Sequence, residues 1–293
     1  MNAPTAGFIG KAVLRREDQR FLTGNGQYTD DIVHQGQTYA VFVRSPHAHA
    51  KLLKVDTEAA RAAPGVVGIF TGDDFVNVGG LPCGWLITSF DGTPMKEPKH
   101  PLLAHGKVRH VGDQVAVVIA ETLAQAKAAA SLVHVDYEVL PAYVDPAGEV
   151  GSVPVHDEAP DNLCYTWALG DKAAIDATFA SAAHVTKLEY RNNRLIPNAI
   201  EPRAANAIYN RSDDSYTLHV ANQNPHVERL LMAAFVLGIP EHKLRVVAPD
   251  VGGGFGSKIF LYAEETVLVW ASKQVSRPIK WTAERSEAFL TRS

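Results

Sequence analysis

Four glycines in five positions, within Asp250-Val-Gly-Gly-Gly-Phe-Gly-Ser-Lys258, constrain this chain more than any other stretch. Glycine gives up more backbone entropy on folding than any other residue. A cluster therefore marks a place where the chain takes positive φ angles or lets another group come close. An apolar strand-like run, Leu244 to Ala248, precedes the loop, and a helix-like run, Ile259 to Ser272, follows it. Amide N–H groups at a helix N-terminus lack intrahelical acceptors, so an oxygen-rich or anionic partner would suit such a position. A plain strand-to-helix turn is the alternative. Two phosphate loops are excluded. A Walker A loop needs Gly immediately before the Lys, where Ser257 stands, and the spacings after Gly252 and Gly254 miss the dinucleotide fingerprint.

Upstream of the loop lies the clearest local unit. Tyr216 to Asn222 alternates as a strand, Asn224 is a good cap with Pro225 at the first helical position, and Val227, Leu230, Leu231, Ala234 and Phe235 fall on one helical face. Gly238 and Pro240 end that helix, and Ile279 to Thr282 reads as a further strand. Gln223 and the glycine loop thus both follow strands, where open α/β sheets place ligands. Asp171 opens a helix to about Ala182, followed by a predicted strand from His184 to Arg191. In the first half, strands are predicted at Tyr39 to Arg44, Lys51 to Val55, Val66 to Phe70, Gln114 to Ala120 and Val135 to Val139. Short helices capped by Thr57 and Thr122 lie between them. Residues 145 to 163 lack a period and read as a linker.

A length of 293 residues suits about two domains. With 28 Lys and Arg against 32 Asp and Glu, the net charge of −4 gives no footprint for nucleic acid or an anionic membrane surface. No apolar run is long enough to span a bilayer and no leader is read, so the cytoplasm is the expected compartment. Cys83 and Cys164 are the only cysteines, too few for an iron–sulfur cluster or a structural zinc site. His47 and His49 stand at i, i+2 with no third ligand nearby, so a polar bend is expected there and no metal ligands are assigned.

Taken together, Val220-Ala-Asn-Gln-Asn-Pro-His226, Ile239-Pro-Glu-His-Lys-Leu-Arg245 and Pro249 to Lys258 resemble the molybdenum-cofactor-binding large subunit of the xanthine dehydrogenase and aldehyde oxidase family. Gly10 to Gly24, Tyr28-Thr-Asp-Asp31 and Arg44-Ser-Pro-His-Ala-His-Ala50 resemble its α/β hammerhead domain, leaning toward the aerobic carbon monoxide dehydrogenase branch. The resemblance implies a lead-in at 1–18, a hammerhead at 19–146, a linker at 147–163 and a truncated molybdopterin-binding α+β domain at 164–293.

It also implies roles. Gln223 would hydrogen-bond an oxygen ligand of the molybdenum, Phe255 and Gly256 would approach the same centre by their backbone, and Gly252, Gly253 and Gly254 would let the loop pass close. The cofactor would be molybdenum–molybdopterin in its cytosine dinucleotide form, with 2Fe-2S and FAD carried by an iron–sulfur small subunit and an FAD-binding medium subunit. The implied activity is oxidative hydroxylation of an aldehyde, N-heterocycle or similar small substrate. Carbon monoxide oxidation at a molybdenum–copper pair and a non-catalytic cofactor-binding module are the alternatives. For Glu201 and Arg203, in Ile196 to Arg203, a structural ion pair competes with substrate contact. Ile259 stands where purine-oxidising members carry a substrate-binding Glu, which argues against xanthine. The general base is expected beyond Ser293, with the remainder of the large subunit, so this polypeptide alone is expected to be incomplete and inactive.

Overall fold

A computed structural model describes residues 7–144, 153–193 and 195–291. Parts of the expected lead-in (residues 1–6) and linker (residues 147–152) lie outside them. The first half contains helix α1 (Asp18–Leu22), strands β1 (Thr38–Arg44) and β2 (Ala50–Asp56), helix α2 (Glu58–Arg61), strands β3 (Val66–Thr71), β4 (Lys107–Val108) and β5 (Gln114–Ala120), helix α3 (Leu123–Ala130) and strand β6 (His134–Val139). The second contains α4 (Lys172–Ser181), β7 (Ala204–Asn210), β8 (Ser215–Val220), α5 (Pro225–Leu230), β9 (Leu244–Val247), α6 (Ala263–Val275), β10 (Ile279–Thr282) and α7 (Arg285–Thr291).

The two expected strand–helix–strand passages of the first half are interleaved. β2 pairs antiparallel with β6 in a small sheet completed by β4, while β3 pairs antiparallel with β5 in a large one. Each passage therefore crosses from one sheet to the other through its helix, which gives the mixed α/β hammerhead. The large sheet runs β3-β5-β1-β10-β7-β8-β9. A parallel pairing of β1 with β10 at Thr38↔Ile279 and Tyr39↔Lys280 joins strands from the two ends of the sequence.

β5 is buried at every position because both of its faces are covered. Val117 and Ile119 point into the main core with Leu218, Met232, Val267, Leu268 and Trp281. Val118 points the other way, onto Ala60, Ile69 and Ala129. This is the period of two expected of a strand, with apolar residues on both sides.

Three expectations are corrected. Residues 184–191 form no strand, because no neighbouring strand pairs with them among the described residues. The helix after the glycine loop begins at Ala263 instead of Ile259. Its first turn is capped internally, since the Glu265 side chain accepts from Tyr262 N, so the glycine loop does not sit on a free helix N-terminus.

The third correction concerns α5. It continues as a π-helical segment over Leu231–Leu237, whose wider turn rotates the apolar stripe. Met232, Ala233 and Val236 are buried, whereas Val227, Leu230 and Phe235 of the expected face are partly or largely exposed.

Glu228, in the regular part of α5 before that segment, is also buried, and its carboxyl meets Glu265 of α6. Burial pushes both carboxyls up, Glu265 to about 7, so the pair retains a proton. An acid with a raised folded pKa is destabilising once the unfolded chain ionises. Stability should therefore fall as pH rises from about 4.5 toward 7. Glu228→Gln supplies the donor permanently. It should flatten that dependence and raise stability at pH 8 by roughly 1–3 kcal/mol, read by denaturant unfolding at pH 5 and pH 8. No helix among the described residues is long and apolar enough to cross a membrane.

Candidate cofactor site

The turn after β8 and the loop between β9 and α6 are built into each other. Gln223 N donates to Lys258 O at 2.7 Å, and Gln223 Oε1 accepts from Gly256 N at 3.1 Å and Lys258 N at 3.2 Å. The side chain lies so close that a Cβ on Gly254 would sit 2.3 Å from Gln223 Cδ and Oε1. Glycine at 254 is thus a packing requirement. Asn222 Oδ1 accepts from Asn224 N and fixes the turn that presents Gln223.

A carboxylate holds the loop from below. Glu201 Oε2 accepts from Gly252 N at 2.7 Å and from Lys258 Nζ at 2.8 Å, and Glu201 N donates to Gly252 O at 3.2 Å. The Lys258 side chain is fully buried. A Cβ on Gly252 would meet Glu201 Cβ at 2.5 Å. Lys258 therefore works as a buried strut. The sequence reading used it only to rule out a Walker loop.

At the near end Asp250 accepts from both terminal nitrogens of Arg20 and from Gln27 N, which holds its carboxylate down at about 2. Arg20 lies in the Gly10 to Gly24 stretch that carries the family resemblance, but nothing in the sequence tied it or Gln27 to Asp250. At the far end the Tyr262 hydroxyl donates to Ser257 O at 2.8 Å.

With both ends fixed, the middle of the loop takes unusual angles. Gly253 has φ +96°, Phe255 +54° and Gly256 +89°. Positive φ on a phenylalanine is strained, and the residue is 76 % exposed. The N–H groups of Gly252, Gly256, Ser257 and Lys258 all donate within the protein. Those of Gly253, Gly254 and Phe255 have no protein acceptor among the described residues. Consecutive N–H groups without a protein acceptor, at a turn where positive φ recurs, are the backbone arrangement that binds oxygen ligands elsewhere. The side-chain amide nitrogen of Gln223, an exposed residue, adds a neutral donor beside them. All the sequence-selected residues, Gln223, Gly252, Gly253, Gly254, Phe255 and Gly256, thus belong to one structure. This donor set fits an oxo-bearing, anionic cofactor, because it offers hydrogen bonds without adding net charge.

Glu201 and Arg203 do not pair with each other. The Arg203 guanidinium is buried against the Tyr262 ring at 3.8 Å and bonds Glu264 at 2.9 and 3.1 Å. It serves the core, while Glu201 serves the loop. His49 donates Nδ1–H to Pro141 O and His47 packs on Tyr137, so that segment is the expected polar bend. Cys83 and Cys164 are free and exposed.

Residues 23–141 match the a/b hammerhead domain of aldehyde oxidase and xanthine dehydrogenase, and residues 155–293 match the molybdopterin cofactor-binding domain. The chain is 37 % identical to the nicotine 6-hydroxylase large subunit of Paenarthrobacter nicotinovorans over 99 % of this chain and 35 % of that protein. It is 35 % identical to the carbon monoxide dehydrogenase large chain of Afipia carboxidovorans, over 95 % of this chain and 35 % of that one. The structure superposes on quinoline 2-oxidoreductase of Pseudomonas putida 86 with a TM-score of 0.81 and 37 % identity, covering 98 % of this chain and 36 % of that one. The chain therefore spans about a third of the length of the relatives it matches. By these similarities and by its two domains, the chain belongs to the xanthine dehydrogenase family of molybdenum oxidoreductases.

Proposed function

We propose that this chain is the hammerhead and first cofactor-binding portion of a molybdenum hydroxylase large subunit acting on an N-heterocycle, an aldehyde or a similar small molecule. The observation that carries this is the joint between Gln223 and the glycine loop, in which, among the described residues, the N–H groups of Gly252, Gly256, Ser257 and Lys258 are committed to the protein and those of Gly253, Gly254 and Phe255 are not. Gln223 and the Gly253–Phe255 amides would hold oxygens of molybdenum–molybdopterin in its cytosine dinucleotide form. When bound, that group supplies oxygen transfer to a substrate carbon and accepts two electrons.

This chain's residues position and desolvate the group. None is assigned as the base. Electrons would leave through a 2Fe-2S subunit and an FAD subunit, in keeping with relatives described as large subunits or chains. Ile259, partly exposed just past the loop, puts an apolar side chain where a purine-reading carboxylate would be needed. That favours an uncharged ring or carbonyl substrate. Carbon monoxide oxidation is the second reading, on the strength of the likeness to carbon monoxide dehydrogenase.

The test is elemental and nucleotide analysis of the complex isolated through a tag on this chain from a molybdenum-replete cell. About one molybdenum per chain, released cytidine nucleotide and no copper are expected. Stoichiometric copper would favour the carbon monoxide reading. A preparation free of molybdenum and pterin would overturn the assignment.

A further inference from the structure

Away from the glycine loop, one cluster of ligating side chains has no role in this account. His100 lies in the long irregular connection after β3, and its backbone oxygen accepts from Leu81 N at 2.8 Å. His110 and Asp113 close the turn before β5, where Asp113 N donates to His110 O and Gly112 takes φ +92°. The turn brings both side chains to the same side, against His100. His100 Nε2 is 3.7 Å from Asp113 Oδ1 and His110 Nδ1 is 3.8 Å from Asp113 Oδ2, both too long for hydrogen bonds.

Asp113 decides the matter. Its side chain is only 3 % exposed. Oδ2 accepts from Arg109 N at 3.0 Å, but Oδ1 is buried with no hydrogen-bond partner. A buried carboxylate oxygen left unpaired is costly, and two imidazoles set just beyond bonding distance around it do not relieve that cost. A cation between the three does. One ligating atom from each of the three residues can be chosen so that all lie within 4.8 Å of one another, and this is the only such group among the described residues. A tetrahedral ion with bonds of about 2.0–2.1 Å sets its ligand atoms about 3.4 Å apart, so side-chain rotation must close separations of at most 4.8 Å by up to about 1.4 Å.

We propose that His100, His110 and Asp113 bind one divalent transition ion of the zinc type. A fourth position remains open to a cavity of about 450 Å³ lined by Gln114, Tyr262 and Glu264. The ion ties the long connection to the turn before β5, so that a loop without secondary structure acquires a fixed anchor.

The test uses the whole chain, stripped with chelator and titrated with Co²⁺, whose visible absorption reports its coordination geometry. One equivalent is expected to develop ligand-field bands that Zn²⁺ displaces. His100→Gln and Asp113→Asn should each weaken binding by roughly tenfold or more. His105→Gln, which alters a histidine paired with Asp73 instead, should not. Since His100 is partly exposed, its variant is expected to fold even if Asp113→Asn does not. The proposal is overturned if no stoichiometric band appears, if His100→Gln binds Co²⁺ as tightly as the parent chain, or if His105→Gln weakens it equally.

Discussion

Glu264→Leu should destabilise this protein by about 3–5 kcal/mol, the cost of leaving buried cations without their counter-charge. Glu264 sits in the first turn of α6 with almost no solvent exposure, and it takes Arg203 and Arg44 together, at 2.9 and 2.7 Å. Burial by itself would push its carboxyl up. The two guanidiniums overcome that and hold it well below the usual carboxylate range. These three residues join the end of β1, the residue just before β7 and the first turn of α6, so their loss loosens the seam between strands from the two halves of the sequence.

At about 2–4 °C per kcal/mol for a chain of this size class, a thermal midpoint lowered by roughly 10 °C is expected. The double variant Arg203→Met with Glu264→Leu should be less destabilised than Glu264→Leu alone, because an apolar pair removes the uncompensated charge. A midpoint shift under about 2 °C in the single variant would show that the network contributes little.

The second large effect is on ligand holding and not on stability. In Gly254→Ala the new methyl meets the far end of the Gln223 side chain at 2.3 Å, and that flexible end can swing away. The cost to folding should stay near 1–2 kcal/mol, but Gln223 Oε1 then loses Gly256 N and Lys258 N. The N–H groups of Gly253, Gly254 and Phe255 would then sit in a loop that Gln223 no longer braces. The variant thus attacks Gln223 without altering it, and Gln223→Ala reaches the same joint from the other side.

How much of this was legible beforehand depends on the range of the interaction. Gln114–Ala120 matches its predicted bounds because a run of β-branched and small apolar residues between turn signals is a local feature. The Asp171 cap and its helix are local too, with Asp171 Oδ1 accepting from Ala174 N. The parallel pairing of Thr38 with Ile279 left no trace in sequence, since nothing near either strand encodes a partner so far away. The stripe on α5 was misplaced because the π-helical segment breaks the 3.6-residue period on which the stripe was read. The strand at 184–191 failed for want of a partner.

At the site, the glycine cluster and Gln223 stood out by composition and by likeness to a family. The parts that hold them did not stand out for that role. Glu201 was expected in an ion pair or on substrate, and Lys258, Arg20 and Gln27 are ordinary residues whose role exists only once the loop is closed on them. Glu201 and Arg203 show the same limit: two residues apart in sequence, they serve different elements, one the loop and the other the start of α6. Spacing alone does not say which way a side chain turns.

The most direct measurement is molybdenum per chain in complexes isolated through this chain, compared among the parent, Gln223→Ala and Gly254→Ala at matched thermal midpoints. The account predicts that both variants lose molybdenum by roughly tenfold or more while remaining folded. Full molybdenum occupancy in both would contradict the claim that Gln223 and the glycine loop form the cofactor cradle.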